Sequence, residues 1–401
     1  MKFAHLADVH LGGWREPKLR ELNTKSFVYA IDKCITEKVD FVIIAGDLFN
    51  TSLPSMDALK VCVQKLRELK DNGISVYLIP GSHDFSPSGK TMIDILEQAG
   101  IAVNVAKEEP TSSRIHLSFT TDKKTGVKIT GIFGKRGGLE KHTYEKLDKE
   151  KLEAEAGTKI FLFHSAVTEL MPKSLGSIDA LPVSSMPKKF DYYAGGHIHI
   201  RESKFIDGYG TFVYPGPLFP NNFSELEELG CGSFTIYDND NIRYEKIQLQ
   251  PVVRISADVT GKSASEAEKE IQNKLNMTDV TNAIVLIRAE GMLREGKPGD
   301  IPFNLIIDSL NRKGAYVVLK NTNKLESKEF EEIKVSKGTV DEIEEDIINK
   351  HIGQLKIMPK EKEGFFAKEL MRILSAEKEE GEKVADFEKR ISHEVDKLLG
   401  L

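Results

Sequence analysis

Met1-Lys2-Phe3-Ala4-His5-Leu6-Ala7-Asp8-Val9-His10-Leu11-Gly12 opens the chain. Residues 3–7 read as a short buried strand, and two groups able to hold a metal, Asp8 and His10, follow directly on its end. The same arrangement recurs downstream. A β-branched run at 41–45 ends in Gly46-Asp47-Leu48-Phe49, and one at 76–79 ends in Gly81-Ser82-His83-Asp84. Runs at 159–163 and 192–194 end in His164-Ser165 and in Gly195-Gly196-His197-Ile198-His199. Between these strands lie amphipathic stretches at 24–38 and 55–72, the second with Ala58, Leu59, Cys62, Leu66 and Leu69 at helical spacing. Strands joined by crossover helices predict an α/β fold, and such folds place their sites in loops beyond the carboxyl ends of the strands.

Any one of these side chains is by itself more often a hydrogen-bonded core or cap residue than a ligand. Their ordered succession at strand ends is what singles them out. Carboxylate oxygens mixed with imidazole nitrogens suit manganese, iron or zinc better than magnesium or calcium. An aspartate can bridge two ions, and two cations about 3.5–4 Å apart can clamp both oxygens of a phosphoryl displacement. Glycines at 46, 81, 195 and 196 let the backbone turn tightly beside such a site. His5, His116, His142, His351 and His393 lie outside the pattern and read as structural or surface residues.

The bulk composition bounds the rest. At 401 residues with 40% apolar content, two or three domains are expected. Fifty-six basic residues against 62 acidic ones give a net charge of -6, so a polyanion has to be gripped by a local basic patch and not by the overall field. Cys34, Cys62 and Cys231 are too few and too scattered for a disulfide framework or a zinc ribbon. With no signal-like start and no apolar run of membrane length, a cytoplasmic protein with no membrane association is expected.

Taken together, Asp8-x-His10, Gly46-Asp47, Gly81-Ser82-His83-Asp84, His164 and Gly196-His197-x-His199 resemble the calcineurin-like metallophosphoesterase superfamily. The opening His5-Leu6-Ala7-Asp8-Val9-His10-Leu11-Gly12 resembles the Mre-eleven and SbcD nucleases of double-strand-break repair, in their archaeal form. The resemblance implies a four-layer α/β/β/α sandwich with a small α/β capping domain and a C-terminal helical segment. It also implies two Mn2+ per subunit and manganese-dependent exonuclease and single-strand endonuclease activity on DNA ends. Asp8, His10 and His199 would hold one metal, His164 and His197 the other, and Asp47 would bridge. His83 would stand over the scissile phosphate as a catalytic group, with Asp84 orienting it. Where the family usually has asparagine this chain has Ser82, a shorter and weaker ligand, so the second metal is expected to bind weakly.

The domain reading is 1–250 for the nuclease domain, 251–335 for the capping, DNA-binding domain and 336–401 for a helical segment. In the last, Thr339 and Glu342 are placed as a capping box, and residues 358–364 as a hinge. Val384, Phe387, Ile391, Val395 and Leu398 form an apolar stripe beyond it. The resemblance implies that these helices dock a coiled-coil ABC ATPase of the Rad-fifty or SbcC type, and that the protein is nucleoid-associated and forms a homodimer. Segments 55–72 and 92–100 are candidate dimer surfaces. Lys135 and Arg136 follow a strand-like run at 129–133 and are candidates for phosphate-backbone contacts, against the reading of a solvated basic turn. Two other functions compete: a small-molecule phosphodiesterase or phosphatase, and a largely non-catalytic DNA-end scaffold motivated by Ser82.

Overall fold

A computed structural model describes residues 1–86, 91–110, 114–135, 140–172, 179–328, 360–376, 378, 382 and 384–399. Residues 1–326 form one compact unit and residues 327–401 a second. In the first, β1 (Lys2–Leu6) alternates as a two-residue period requires: Ala4 and Leu6 face one apolar cluster, Phe3 and Ala7 another. Parallel β2 (Phe41–Ala45), β3 (Ser75–Ile79) and β4 (Val103–Asn104) extend the sheet from β1. The chain then makes a hairpin of β5 (Glu108–Pro110) and β6 (Ile115–Leu117).

A second six-stranded sheet follows, from β7 (Thr120–Thr121), β8 (Lys128–Ile132), β9 (Lys159–His164), β10 (Tyr192–Gly196), β11 (Arg201–Ile206) and β12 (Gly210–Pro215). Next, β13 (Gly232–Asp238) returns to the first sheet antiparallel to β1, and β14 (Asn241–Ile247) pairs with it. Phe41, Ile43 and Ile79 of the first sheet meet Ile129, Leu162 and Val213 of the second in one buried cluster between them. The outer face of the first sheet is covered by α1 (Pro17–Thr36), α2 (Met56–Asp71) and α3 (Met92–Gln98). That of the second is covered by α4 (Lys141–Glu145) and α5 (Lys149–Ala154). Helix, sheet, sheet, helix is the expected four-layer order.

Beyond α6 (Phe223–Leu229), a four-stranded sheet is built from β15 (Val252–Asp258), β16 (Ile284–Leu293), β17 (Val317–Asn321) and β18 (Leu325–Ser327). With α7 (Ala264–Asn276) and α8 (Phe303–Arg312) it encloses its own core around Ile271, Ile287 and Ile306. A separate cluster, Leu19, Leu22, Phe219, Leu226, Ile284 and Leu286, fastens this sheet to the preceding residues. The second unit contributes helices Lys360–Leu374 and Val384–Leu399. Among the described residues no helix is long and apolar enough to cross a membrane.

Three expectations need correcting. The helix expected at 24–38 starts at Pro17, because Glu16 accepts from the Lys18 N–H as N-cap and proline suits the first turn. The hinge expected at 358–364 is helical from Lys360 onward, running through Gly364 despite a cost of about 1 kcal/mol for a mid-helix glycine. The antiparallel pair β13 and β14 was absent from a reading built on crossovers, although its turn at Asn239 and Asp240, with φ of 47° and 69°, is the two-residue hairpin turn that such residues favour. Residues 336–359, with the Thr339 and Glu342 capping box, lie outside the described residues, as does Arg136.

Candidate metal centre

The carboxyl ends of five parallel strands, β1, β2, β3, β9 and β10, meet at one edge of the two sheets. Asp8 and His10 leave β1, Asp47 leaves β2, His164 ends β9, and His197 and His199 leave β10. Neighbouring loops are tied by backbone bonds, His10 N–H to Asp47 O at 2.9 Å and Leu11 N–H to Leu48 O at 3.0 Å. Asp8, His10, Asp47, His197 and His199 all have φ between 46° and 99°. These five make up nearly half of the eleven described non-glycine residues with positive φ. Each such conformation costs on the order of 1–3 kcal/mol, and the surrounding packing has to hold it. Strain concentrated on these residues aims their side chains inward at the expense of stability.

Asp8, His10, Asp47 and His164 are at most 2% exposed. Three groupings overlap among them, each with its donor atoms within 4.8 Å of one another: Asp8, His10 and His199; His10, Asp47 and His83; Asp8, Asp47 and His164. Asp47 Oδ2 lies 3.1 Å from His164 Nε2 and 3.7 Å from His10 Nε2, while Asp8 Oδ1 lies 3.6 Å from His199 Nε2. Asp47 is thus central, as a bridging ligand requires. The His197 ring stands 5.1 Å from that of His164, and its backbone N–H donates to the Asp8 carboxylate at 2.9 Å. Gly46 is obligatory, since its φ is 86° and a Cβ there would run into the His164 ring. A Cβ at Gly81 would strike Asp47.

The electrostatics follow from burying carboxylates among imidazoles. Burial works against the charge on Asp47, yet His164 and His10 hold its pKa below the carboxylate range. Burial pushes Asp8 up, against the pull of His199 and His164. Burial likewise opposes a proton on His164, but Asp47 and Asp8 push it up to about 10; Asp8 and Glu225 push His199 up to about 9. Burial drives His10 well down and takes His197 to about 4. Paired buried carboxylates demand positive charge. His10 Nε2 and His199 Nε2, 3.1 Å apart, are lone-pair donors converging beside them, so the donor set fits divalent cations of the manganese, iron or zinc kind.

His83 and Ser82 border an open cleft of about 670 Å³ together with Asp47, His197, His199 and Glu225. His83, expected to stand off the metals, reaches the grouping with His10 and Asp47, and its backbone N–H donates to Asp47 Oδ1 at 2.8 Å. The role expected for Asp84 is corrected. Its carboxylate accepts from the N–H groups of Leu48, Phe49 and Gly81 at 3.0, 2.9 and 3.0 Å, bracing the Asp47 loop against the His83 loop. The Asn50 carbonyl, 2.8 Å from Nδ1, is what orients His83. The Lys135 ammonium donates to Thr143 Oγ1 at 3.1 Å and lies 4.7 Å from the Phe133 ring centre. Glu225, missed in the sequence, receives a hydrogen bond of 3.0 Å from His199 Nδ1. Its Asn222-x-x-Glu225 capping spacing was the available signal.

The calcineurin-like phosphoesterase family model matches residues 1–201, the half of the chain that carries every one of the candidate ligands. The chain belongs to that family. Among curated relatives it is 33% identical over 240 residues to a DNA double-strand break repair protein Mre11 of Methanococcus maripaludis, covering 57% of this chain and 60% of the relative. A protein of the same name from Methanocaldococcus jannaschii is 27% identical over 357 residues, covering 80% and 90%. The uncharacterized metallophosphoesterase YhaO of Bacillus subtilis is 27% identical over 275 residues, covering 65% and 64%. The chain thus spans about half to two thirds of the length of the first relatives it matches.

Proposed function

We propose that this phosphoesterase is a manganese-dependent nuclease that trims DNA ends in double-strand-break repair. The observation that carries the reading is the convergence of Asp8, His10, Asp47, His164, His197 and His199 at the carboxyl ends of four strands, beside an open cleft that Asp47, His197 and His199 line. The Mre11 relatives support a DNA substrate over a small ester. Asp8, His10 and His199 would hold one Mn2+, His164 and His197 the other, and Asp47 both, with Ser82 at the edge of the second. Bound there, two such ions supply Lewis-acid charge and an acidified water to a phosphodiester.

The protein's own groups do the rest. Asn50 O, by accepting from Nδ1–H, orients the His83 ring with Nε2 free for the cleft, where the imidazolium form, protonated on both nitrogens, can donate its Nε2 proton to a leaving oxygen. Asp84 fixes the two loops that carry Asp47 and His83. The half-buried stripe of Phe387, Ile391, Val395 and Leu398 on helix Val384–Leu399 suits the docking of a coiled-coil ABC ATPase. Exposed Leu53, Met56 and Ile95, beside α2 and α3, suit a homodimer contact.

The test is to incubate the protein with linear duplex DNA and, separately, with bis(nitrophenyl) phosphate, with and without Mn2+. Manganese-stimulated loss of DNA, reduced about 10²–10⁴-fold in His83→Ala with Mn2+ binding retained, is the expected result. Turnover of the nitrophenyl ester alone would mark a small-molecule phosphodiesterase. DNA binding with no stimulated cleavage would mark a scaffold.

A further inference from the structure

α6 is seven residues long, far too short to hold its shape alone. The burial of Leu226 and four polar contacts hold it. Asn222 Oδ1 accepts from the Glu225 N–H at 2.9 Å at its start, and at its end the Arg201 guanidinium donates to Leu229 O at 3.5 Å and to Cys231 O. On one flank Arg288 of β16 grips Glu227 with a fork of 2.8 and 2.6 Å bonds, its guanidinium 5.3 Å from the Phe223 ring centre. On the other, Glu225 receives the His199 Nδ1–H. Residues two apart on a helix point about 200° apart, so Glu225 and Glu227 face opposite ways. One side of this short rod touches the third sheet and the other a ligand of the metal centre.

A carboxylate on Nδ1–H fixes an imidazole's tautomer, leaving the Nε2 lone pair for a cation, and orients the ring. Glu225 performs this for His199, whose Nε2 lies 3.6 Å from Asp8 Oδ1. The Glu225 carboxylate also accepts from the Asn221 N–H at 2.7 Å and from the Asn222 side chain, so it moves with the first turn of α6, and the two-pronged, stacked Arg288 contact is the polar tie of that helix to the third sheet. Lysine cannot reproduce that contact, because it has neither the planar fork nor the stacking face.

We propose that α6 is a positioning relay: the seating of the third sheet, through Arg288 and Glu227, sets the placement of Glu225 and hence the cation affinity of the half-site containing His199. This rests on the reading of the cluster as a metal centre. It adds that residues of the third sheet, remote from the cations, tune one of the two sites and leave the other alone.

The experiment is calorimetric titration of the full chain with Mn2+ in the absence of DNA, for wild type, Glu225→Gln, Arg288→Met and the double variant. Glu225→Gln is expected to weaken one site about 10–100-fold. Arg288→Met is expected to weaken the same site about 2–30-fold. Because Arg288 acts through Glu225, the double variant should bind no more weakly than Glu225→Gln alone, a non-additivity that general destabilisation does not produce. Glu227→Gln cuts the same tie from the other side and serves if Arg288→Met does not fold. Unchanged affinity in Arg288→Met or Glu227→Gln, or factors that simply multiply in the double variant, would overturn the relay. With no DNA present, a protein that binds Mn2+ as described but cuts no DNA contradicts only the nuclease reading. One that cuts DNA with Glu225→Gln binding normally contradicts only the relay.

Discussion

Asp84→Asn separates two roles for a carboxylate that sequence alone confuses. Oδ2 accepts from Leu48 and Gly81 and Oδ1 from Phe49, in a site only 2% exposed. An asparagine can keep its carbonyl at the Oδ2 position and save two bonds. Its NH2 then faces the Phe49 N–H, leaving two donors head to head. A charged hydrogen bond contributes about 1.5–3 kcal/mol, and an orphaned buried donor costs about 1–3 kcal/mol. Burial and the neighbouring Asp47 push the Asp84 pKa up to about 7, so the charge itself adds little and the orphaned donor sets the expected loss at about 1–3 kcal/mol, a sizeable share of the 5–15 kcal/mol typical of a folded domain. Urea unfolding of the metal-free protein, followed by emission of Trp14, the sole tryptophan, reads it as a lower midpoint at unchanged slope. A loss below about 0.5 kcal/mol with cleavage still abolished would refute the brace and restore a catalytic role for Asp84.

Other consequences follow from the same geometry. His5, fully buried with Nδ1 3.0 Å from the Tyr192 hydroxyl, has its pKa driven by burial down to about 3 from 6.5. The unfolded chain then binds the extra proton first, so the stability His5 preserves is complete above pH 6.5 and lost as pH falls toward 3, by about 1.4 kcal/mol per pH unit. His5→Leu should flatten the acid limb of a stability-against-pH curve by one proton, and parallel curves would contradict this. Gly46→Ala places a Cβ into the His164 ring at a φ of 86° and should cost about 2–5 kcal/mol, seen as a lower thermal midpoint; an unchanged midpoint would count against the packing. Ser82→Asn, by adding a carbonyl ligand, should move the manganese dependence of cleavage to about tenfold lower concentration, whereas coincident curves would exclude Ser82 from the second site. Cys34 and Cys62, both fully buried with thiol pKa values pushed up by burial, should resist Ellman's reagent until the protein unfolds.

What was legible in the sequence was the local part. Buried parallel strands are apolar runs that end abruptly, so β1, β2, β3, β9 and β10 could be read within a residue or two, along with the aspartates and histidines that converge at their ends. What stayed hidden depended on contacts distant in sequence. β13 lies beside β1 only through pairing across more than two hundred residues, as Lys2 with Asp238 shows. Asn50 takes the orienting role expected of Asp84 because the loops after β2 and β3 run side by side, a closeness no spacing encodes. The Lys135 contact with Thr143 could not be read from the sequence because it forms only once α4 is in place. Glu225 sits three residues after the α6 N-cap Asn222, and that its carboxylate serves His199 depends on a contact across 26 residues.

In the proposed centre, six imidazole and carboxylate side chains from four strand ends hold a pair of cations. Anomalous scattering from crystals soaked in Mn2+ tests it most directly. Two peaks are expected, one among Asp8, His10 and His199 and one beside His164 and His197, with Asp47 between them. A lone peak elsewhere on the surface, or no manganese signal at this cluster, would contradict the assignment.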